Sequence, residues 1–167
     1  MTRSVNFQIF LSTLLIFSWS ISWILLKYAL VSTDPFIFRS AVCLFCAIAL
    51  FPVALYLKRN LIEPKFLVMN TIISVPNIAL WHILSALGLL KSMTGNAVVI
   101  AYTMPIWAMV FGSIFYRERL SAKKIIACFL GCSSVATVYI SQGAGEPLLP
   151  IALLVGAAMS WGLGTAM

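Results

Sequence analysis

The sequence has very little charge for its length. Lys and Arg number 11 and Asp and Glu number 4 among 167 residues, which is 9% of the chain. A soluble domain is about a quarter charged, and so few charges cannot cover a surface that faces water. With 62% hydrophobic residues, the chain needs lipid as its solvent. The composition therefore excludes a soluble globular protein and predicts an integral membrane protein.

The scarcity of acidic residues also argues against catalytic and metal chemistry. None of the acids lies at the centre of an apolar segment, and no two are placed to share a site; they are Asp34, Glu63, Glu118 and Glu146. The sequence has neither a glycine-rich phosphate loop nor a nucleophile elbow. We therefore predict no enzymatic activity, no metal centre and no cofactor.

The cysteines give no clear redox or metal signal. All four lie inside apolar segments, and they are Cys43, Cys46, Cys128 and Cys132. The Cys43-x-x-Cys46 spacing matches redox and zinc motifs. However, it falls on a lipid-embedded segment without further ligands nearby, where cysteine behaves as a small hydrophobe. We interpret all four as buried apolar residues.

Charged and turn-forming residues, among them Lys27, divide the chain into apolar segments near the roughly 20 residues of a membrane helix. The segments are 7–26, 36–57, 66–90, 95–116, 125–141 and 150–167. The connections are too short for a soluble domain. A cleaved signal peptide is disfavoured because no small-x-small site follows the first segment. The prediction is an all-α integral membrane bundle of five transmembrane spans and a partial sixth.

Basic residues are distributed unevenly between the two ends of these segments. Eight lie in the N-terminal tail or the loops after the second and fourth segments: Arg3, Lys58, Arg59, Lys65, Arg117, Arg119, Lys123 and Lys124. Three lie on the opposite side: Lys27, Arg39 and Lys91. Cytoplasmic loops carry an excess of Lys and Arg, so we predict a cytoplasmic N-terminus in the inner (plasma) membrane. The net charge of +7 then sets topology and does not indicate nucleic-acid binding.

Two prolines fall inside predicted spans. Pro76 and Pro105 each leave a backbone carbonyl one turn earlier without its partner and bend the helix. Interrupted helices often mark the binding site of a transporter, although a passive kink is an equal alternative at Pro76.

Polar and aromatic side chains gather in the third segment. Asn77, Trp81 and Ser85 are spaced four residues apart and are expected on one helical face, with His82 beside them. His82 is the one ionisable residue near the middle of any segment, and such residues are functional candidates. Since histidine changes charge near neutral pH, His82 is a candidate for substrate contact or proton coupling. The alternative is a neutral histidine bonded to a neighbouring helix.

Two tryptophans and an arginine near the first loop have several interpretations. Trp23 fits an interfacial anchor, whereas Trp19 lies deeper and either lines a cavity or packs on another helix. Arg39 either snorkels to the outer surface or pairs with Asp34. Contact with an anionic substrate is the less favoured alternative for Arg39.

Small residues recur four apart on the last segment, at Gly156, Ser160 and Gly164. Small faces let membrane helices approach closely. We expect this face to need a partner bundle. The chain carries no basic residue after it to anchor that end.

Residues 95–140 resemble the fourth-to-fifth span unit of EamA-like transporters in the drug/metabolite transporter superfamily. The matching positions are Ala97, Tyr102, Pro105, Trp107, Glu118, Leu120 and Gly131. The stretch DPFIFRSAVCLF, residues 34–45, is similar to the start of that family's second span. SWSISWILLKYAL, residues 18–30, is similar to the end of its first span.

This resemblance implies ten spans built from two five-span repeats of inverted topology around a central substrate cavity. It implies that Tyr102 and Pro105 lie near the cavity and that Glu118 fixes the turn that closes the fourth span. Many such proteins export amino acids, metabolites or toxic compounds. The pair Ser160-Trp161 repeats Ser18-Trp19 where a second copy would begin.

The resulting hypothesis divides the chain into a first repeat, 1–141, a periplasmic linker, 142–149, and the first helix of an incomplete second repeat, 150–167. The expected function is transport of a small metabolite, amino acid or drug-like solute by alternating access, and the expected direction is efflux. The 167-residue form is expected to be inactive or partial alone, with the missing repeat or a dimer partner completing it. The alternatives are a half-size transporter that dimerises and a non-transporting accessory membrane protein.

Overall fold

The computed structural model describes residues 2–57, 63–118, 120–141 and 147–167, with side chains from residue 5 onward. Within these ranges the elements are helices and no strand occurs, which confirms the predicted all-α class. Six helices are long and apolar enough to cross a membrane. In chain order, these first to sixth spans are Thr2–Ser32, Pro35–Tyr56, Pro64–Leu90, Thr94–Phe115, Ala122–Ser141 and Leu149–Ala166.

Several features used for the sequence predictions lie outside the described residues. They are the side chain of Arg3, the residues Lys58, Arg59, Arg119 and Glu146, and positions 142–145 of the predicted linker.

The first span does not end at Lys27, as the charge pattern predicted, but continues to Ser32. The Lys27 Nζ donates to the backbone carbonyls of Leu89 (2.6 Å), Leu90 (2.8 Å) and Ser92 (3.0 Å). The last carbonyls of a helix lack intrahelical partners, and the negative end of the helix dipole favours a cation. Lys27 is therefore accommodated inside a span because it caps the end of the third span.

The second span begins at a defined cap. The Asp34 Oδ1 accepts hydrogen bonds from the backbone N–H groups of Phe36 (2.9 Å) and Ile37 (3.0 Å). Pro35 occupies the first helical turn, where its missing N–H costs nothing. This cap keeps the connection to the first span very short and holds the two helix ends side by side.

The third and fourth spans are both interrupted near their prolines. A π-helical turn, Val75–Leu80, contains Pro76 and divides the third span. The fourth span consists of Thr94–Ala101 and Met104–Phe115, with Tyr102 and Thr103 at the break. Proline removes the bond to the carbonyl four residues earlier. At the second break, the Thr103 hydroxyl donates to the carbonyl of Ile100 at 2.7 Å.

The sixth span forms the centre of the bundle. Half of its residues are buried, whereas the second span has none that are buried. The sixth span packs against the third and fourth spans. The sequence predicted that its small-residue face needs a partner bundle. Within the described residues this span packs on the same chain's third and fourth spans, and a further partner bundle stays a prediction.

Two glycines make this packing close enough for backbone contact. A Cβ at Gly162 would lie 2.5 Å from the Cβ of Trp107 and 2.7 Å from the backbone nitrogen of Ala108. A Cβ at Gly164 would lie 2.6 Å from the Cβ of Asn77. Since lipid tails are as apolar as the side chains, such close packing supplies much of the attraction between membrane helices.

We expect Gly162→Ala to lower the free energy of unfolding by about 1–3 kcal/mol, because the added methyl group meets backbone that cannot move aside cheaply. The measurement is thermal unfolding followed by circular dichroism in detergent micelles. Gly156→Ala is the matched control on the same helix, because its nearest atom would be a Leu84 side-chain carbon at an ordinary 3.5 Å. Equal melting temperatures for the two variants would show that the packing is looser than described.

Candidate functional site

The first four spans line a half-open cavity of about 590 Å³. Its lining residues come from the second half of the first span, the first half of the second, the middle of the third and the break in the fourth. They are Trp19, Ser22, Trp23, Leu25, Leu26, Ala29, Phe38, Arg39, Val42, Trp81, His82, Tyr102 and Met104. The volume falls in the ordinary range for small-molecule sites. The cavity occupies the half of the bundle nearest the two short connections, 33–34 and 91–93.

Aromatic rings form two of its walls. Trp19 and Tyr102 stack with ring centroids 6.4 Å apart, and both are about half exposed. Trp23 and Trp81 pack edge to face at 6.3 Å, with Trp23 only 8% exposed. These rings offer faces and edges on which an apolar or aromatic ligand can pack.

The polar part of the cavity lies around Arg39 and His82. The Arg39 Nη2 donates to the Ser85 hydroxyl at 3.1 Å, and that hydroxyl donates to the His82 carbonyl at 3.4 Å. Within the part of the chain that the structure describes, the Arg39 Nε and the His82 Nδ1 are buried without a hydrogen-bond partner. Buried polar atoms are nearly always paired. The Ser92 Oγ, outside the cavity lining, is a third such atom, so Arg39 and His82 are distinguished by also lining the cavity.

Arg39 does not follow either of its favoured sequence interpretations. The Asp34 carboxylate caps the second span through backbone N–H groups, and the structure gives no ion pair between Asp34 and Arg39 among the described residues. The guanidinium turns inward to Ser85 and does not snorkel. Arg39 lines the cavity, and the less favoured interpretation, contact with an anionic substrate, stays a prediction.

Asn77 lies outside the cavity. Its Nδ2 donates to the Trp161 carbonyl at 3.1 Å and to the Thr165 hydroxyl at 3.0 Å, both on the sixth span. The one-face expectation for Asn77 and Trp81 assumed an unbroken α-helix, but the π-helical turn between them changes the register. Asn77 therefore joins two spans, while Trp81 lines the cavity.

Pro105 and Glu118 also lie outside the lining. Pro105 begins the second segment of the fourth span, and the break that precedes it brings Tyr102 to the cavity wall. The Glu118 Oε2 lies 3.3 Å from the Lys124 Nζ, across the turn between the fourth and fifth spans. Glu118 follows the end of the fourth span, whereas the cavity residues of that span, Tyr102 and Met104, lie at its break.

Sequence reasoning missed several lining residues and misassigned one. Trp23 was interpreted as an interfacial anchor, but it is buried against Trp81. Its four-residue spacing from Trp19 was the available signal, since that spacing puts both on one helical face. Phe38 and Met104 carried no signal, because apolar side chains are common in every span.

Comparisons with known proteins show a match to one protein family and to one curated bacterial relative. The profile of the EamA-like transporter family matches residues 6–140. A protein of Bacillus subtilis (strain 168), named uncharacterized transporter YvbV, is 28% identical over 152 residues, which is 90% of this chain and 50% of the relative. The chain therefore spans half the length of that curated relative. No solved structure gives a significant match.

We expect Asn77→Leu to lower the free energy of unfolding by about 1 kcal/mol, because one interhelical hydrogen-bonding side chain is lost. Ligand affinity in the cavity should be unchanged. Thr71→Val is the control, because the Thr71 hydroxyl bonds only within its own helix, to the Leu67 carbonyl. Thermal unfolding in micelles measures the difference. Unaltered stability together with weakened ligand binding would instead put Asn77 in the binding site.

Proposed function

This chain belongs to the EamA-like transporter family, and from that premise we propose that it takes part in moving a small organic solute across the membrane by alternating access. The proposed substrate class is a metabolite, an amino acid or a drug-like compound. The proposed direction is export, which the family resemblance favours.

The observation that carries this proposal is the cavity between the first four spans. Transporter sites lie where interrupted helices meet near the middle of the bilayer. Here Trp81 immediately follows the π-helical turn of the third span, and Tyr102 lies at the break in the fourth. Both residues line the cavity. A solute bound there contacts the segments that are least constrained by regular helical hydrogen bonds.

We also propose that the N-terminus is cytoplasmic and that the membrane is the inner (plasma) membrane. Of the basic residues predicted outside, Lys27 caps the third span and Arg39 bonds to Ser85. This leaves Lys91 exposed on that side among the described residues, which strengthens the positive-inside asymmetry. In this orientation the cavity extends from the outer end of the bundle to the middle of the spans, where Trp81 and Tyr102 lie.

Labelling of single introduced cysteines tests the orientation. In a background without Cys43, Cys46, Cys128 and Cys132, a membrane-impermeant maleimide added to intact cells should label Lys91→Cys but not Lys123→Cys. Lysed cells, in which both positions should react, provide the control. The reverse pattern in intact cells would contradict the proposed orientation.

The partners in this proposal are the bilayer, the solute and a further helical unit. We propose that residues 1–141 form one repeat and that a second repeat, or another copy of the chain, completes the substrate path. The first, second and fifth spans support this proposal, because they bury almost none of their residues within the chain. Lipid and a further bundle are the two environments that can cover such apolar faces.

Transport is tested by flux from proteoliposomes across a panel of amino acids, organic acids and amphipathic amines. The assay uses the protein at the length at which its own cells make it, with the 167-residue chain beside it. We expect at least one solute to leave these vesicles faster than protein-free vesicles. Binding without flux by the natural form would favour an accessory protein, and a crosslinked functional pair of 167-residue chains would favour the half-size transporter.

The same assay tests His82, which we propose as a proton-coupling residue. His82→Gln keeps a polar side chain of similar size but cannot change charge near neutral pH. We expect the variant to lose the dependence of solute flux on an imposed pH gradient. An unchanged rate together with an unchanged pH profile would exclude this role.

A further inference from the structure

We infer that the cavity selects organic acids, meaning solutes with one carboxylate group beside an apolar or aromatic body, and that Arg39 binds the carboxylate. This inference rests on the proposed transport function and specifies its substrate class. It draws on three observations made on the described residues: a guanidinium without a counter-ion among them, a cavity lining without a carboxylate, and walls of aromatic rings.

The first observation concerns the hydrogen bonds and charge of Arg39. A guanidinium has five N–H donors, and the structure gives Arg39 one bond, from Nη2 to the neutral hydroxyl of Ser85. Its Nε is buried without a partner. A charge removed from water is costly unless it is paired. A bound carboxylate would supply the missing negative charge and could accept two parallel N–H bonds from the planar guanidinium.

The second observation concerns the acidic residues that the structure describes. The Asp34 carboxylate accepts from two backbone N–H groups at the start of the second span. Glu118 pairs with Lys124, and Glu63 precedes the third span at the end away from the cavity. None of these residues belongs to the cavity lining. The lining formed by the described residues is therefore cationic, which disfavours amines and favours anions.

The third observation limits the anion to one with an apolar body. Apart from Arg39, His82, Ser22 and the polar edges of the aromatic rings, the lining is apolar. Trp19 and Tyr102 form one aromatic wall and Trp23 and Trp81 another. A small, strongly hydrated inorganic anion would lose its water shell without gaining enough partners here. A ring or alkyl chain packed on these walls adds favourable burial.

His82 contributes the second polar contact to this arrangement. Its Nδ1 is buried without a partner, and its backbone carbonyl is linked through the Ser85 hydroxyl to Arg39. Both residues line the same cavity, so His82 is a second polar side chain near a carboxylate held by Arg39. The two residues come from different spans, so a bound acid would tie the second span to the third.

The experiment compares three ligands of one shape and different charge: 3-phenylpropanoate, 3-phenylpropanamide and 3-phenylpropylamine. Affinity is measured on the purified protein in micelles by titration calorimetry and by tryptophan fluorescence, because Trp19, Trp23 and Trp81 line the cavity. We expect the carboxylate to bind at least about tenfold more tightly than the amide, the usual difference for a hydrogen bond to a charged group. The amine should bind most weakly.

Variants then assign the preference to Arg39. Arg39→Gln should reduce the ratio of carboxylate affinity to amide affinity to about one. The amide affinity should change by less than about twofold, which would show that the cavity is intact. Arg39→Lys keeps the charge without the fork of donors and should give an intermediate ratio. Lys91→Gln, which removes an exposed cation outside the lining, should leave all three affinities unchanged.

Equal affinities for the acid and the amide, tightest binding of the amine, binding of none of the three, or a preference that survives Arg39→Gln would each overturn the inference. If Arg39→Gln does not fold, an unreduced preference in Arg39→Lys overturns it in the same way. Flux of the amide or amine without a carboxylate preference would leave the transport proposal standing and reject this inference. Carboxylate preference without flux of any solute by the natural form would support this inference and reject the transport proposal.

Discussion

The contact on which the rest of the structure depends is the close approach of the sixth span to the third and fourth. Gly162 and Gly164 let its backbone lie directly against Trp107, Ala108 and Asn77. In lipid, packing of this kind replaces the hydrophobic effect as a source of helix association. Because both partners are interrupted helices, the sixth span also supports their breaks from behind. The described residues that line the cavity include none from the sixth span, so this contact affects the cavity through the third and fourth spans.

Some polar side chains within the spans form hydrogen bonds that join helices, and others keep polar atoms that could bind a ligand. Lys27 and Asn77 donate to backbone carbonyls of other spans, which satisfies them without water. Arg39 and His82 keep buried nitrogen atoms that lack partners. Both of the latter line the cavity, and neither of the former does. The Ser92 Oγ is also buried without a partner among the described residues and lies outside the lining, so it is the combination of an unsatisfied nitrogen and a place in the cavity that marks Arg39 and His82 as candidates.

Much of the candidate site was open to prediction from the sequence, and the exceptions have identifiable causes. Trp19, Trp81, His82 and Tyr102 were all named as cavity candidates and do line one cavity. Asn77 was grouped with Trp81 because an α-helix repeats its face every four residues, but the π-helical turn ended that register. Trp23 was misassigned because its depth was judged from distance along the chain. Its burial comes from a neighbouring span.

The sequence by itself determined that the chain is helical and lies in lipid, because charge content and apolar run length are sums over local residues. It also located the two interrupted spans, since proline acts on its own backbone. Only the tertiary structure decided which polar side chains are satisfied by other spans. Lys27, Asn77 and Arg39 reach partners 62, 84 and 46 residues away in the chain. Such pairings depend on how helices are arranged, and no local pattern of residues encodes that arrangement.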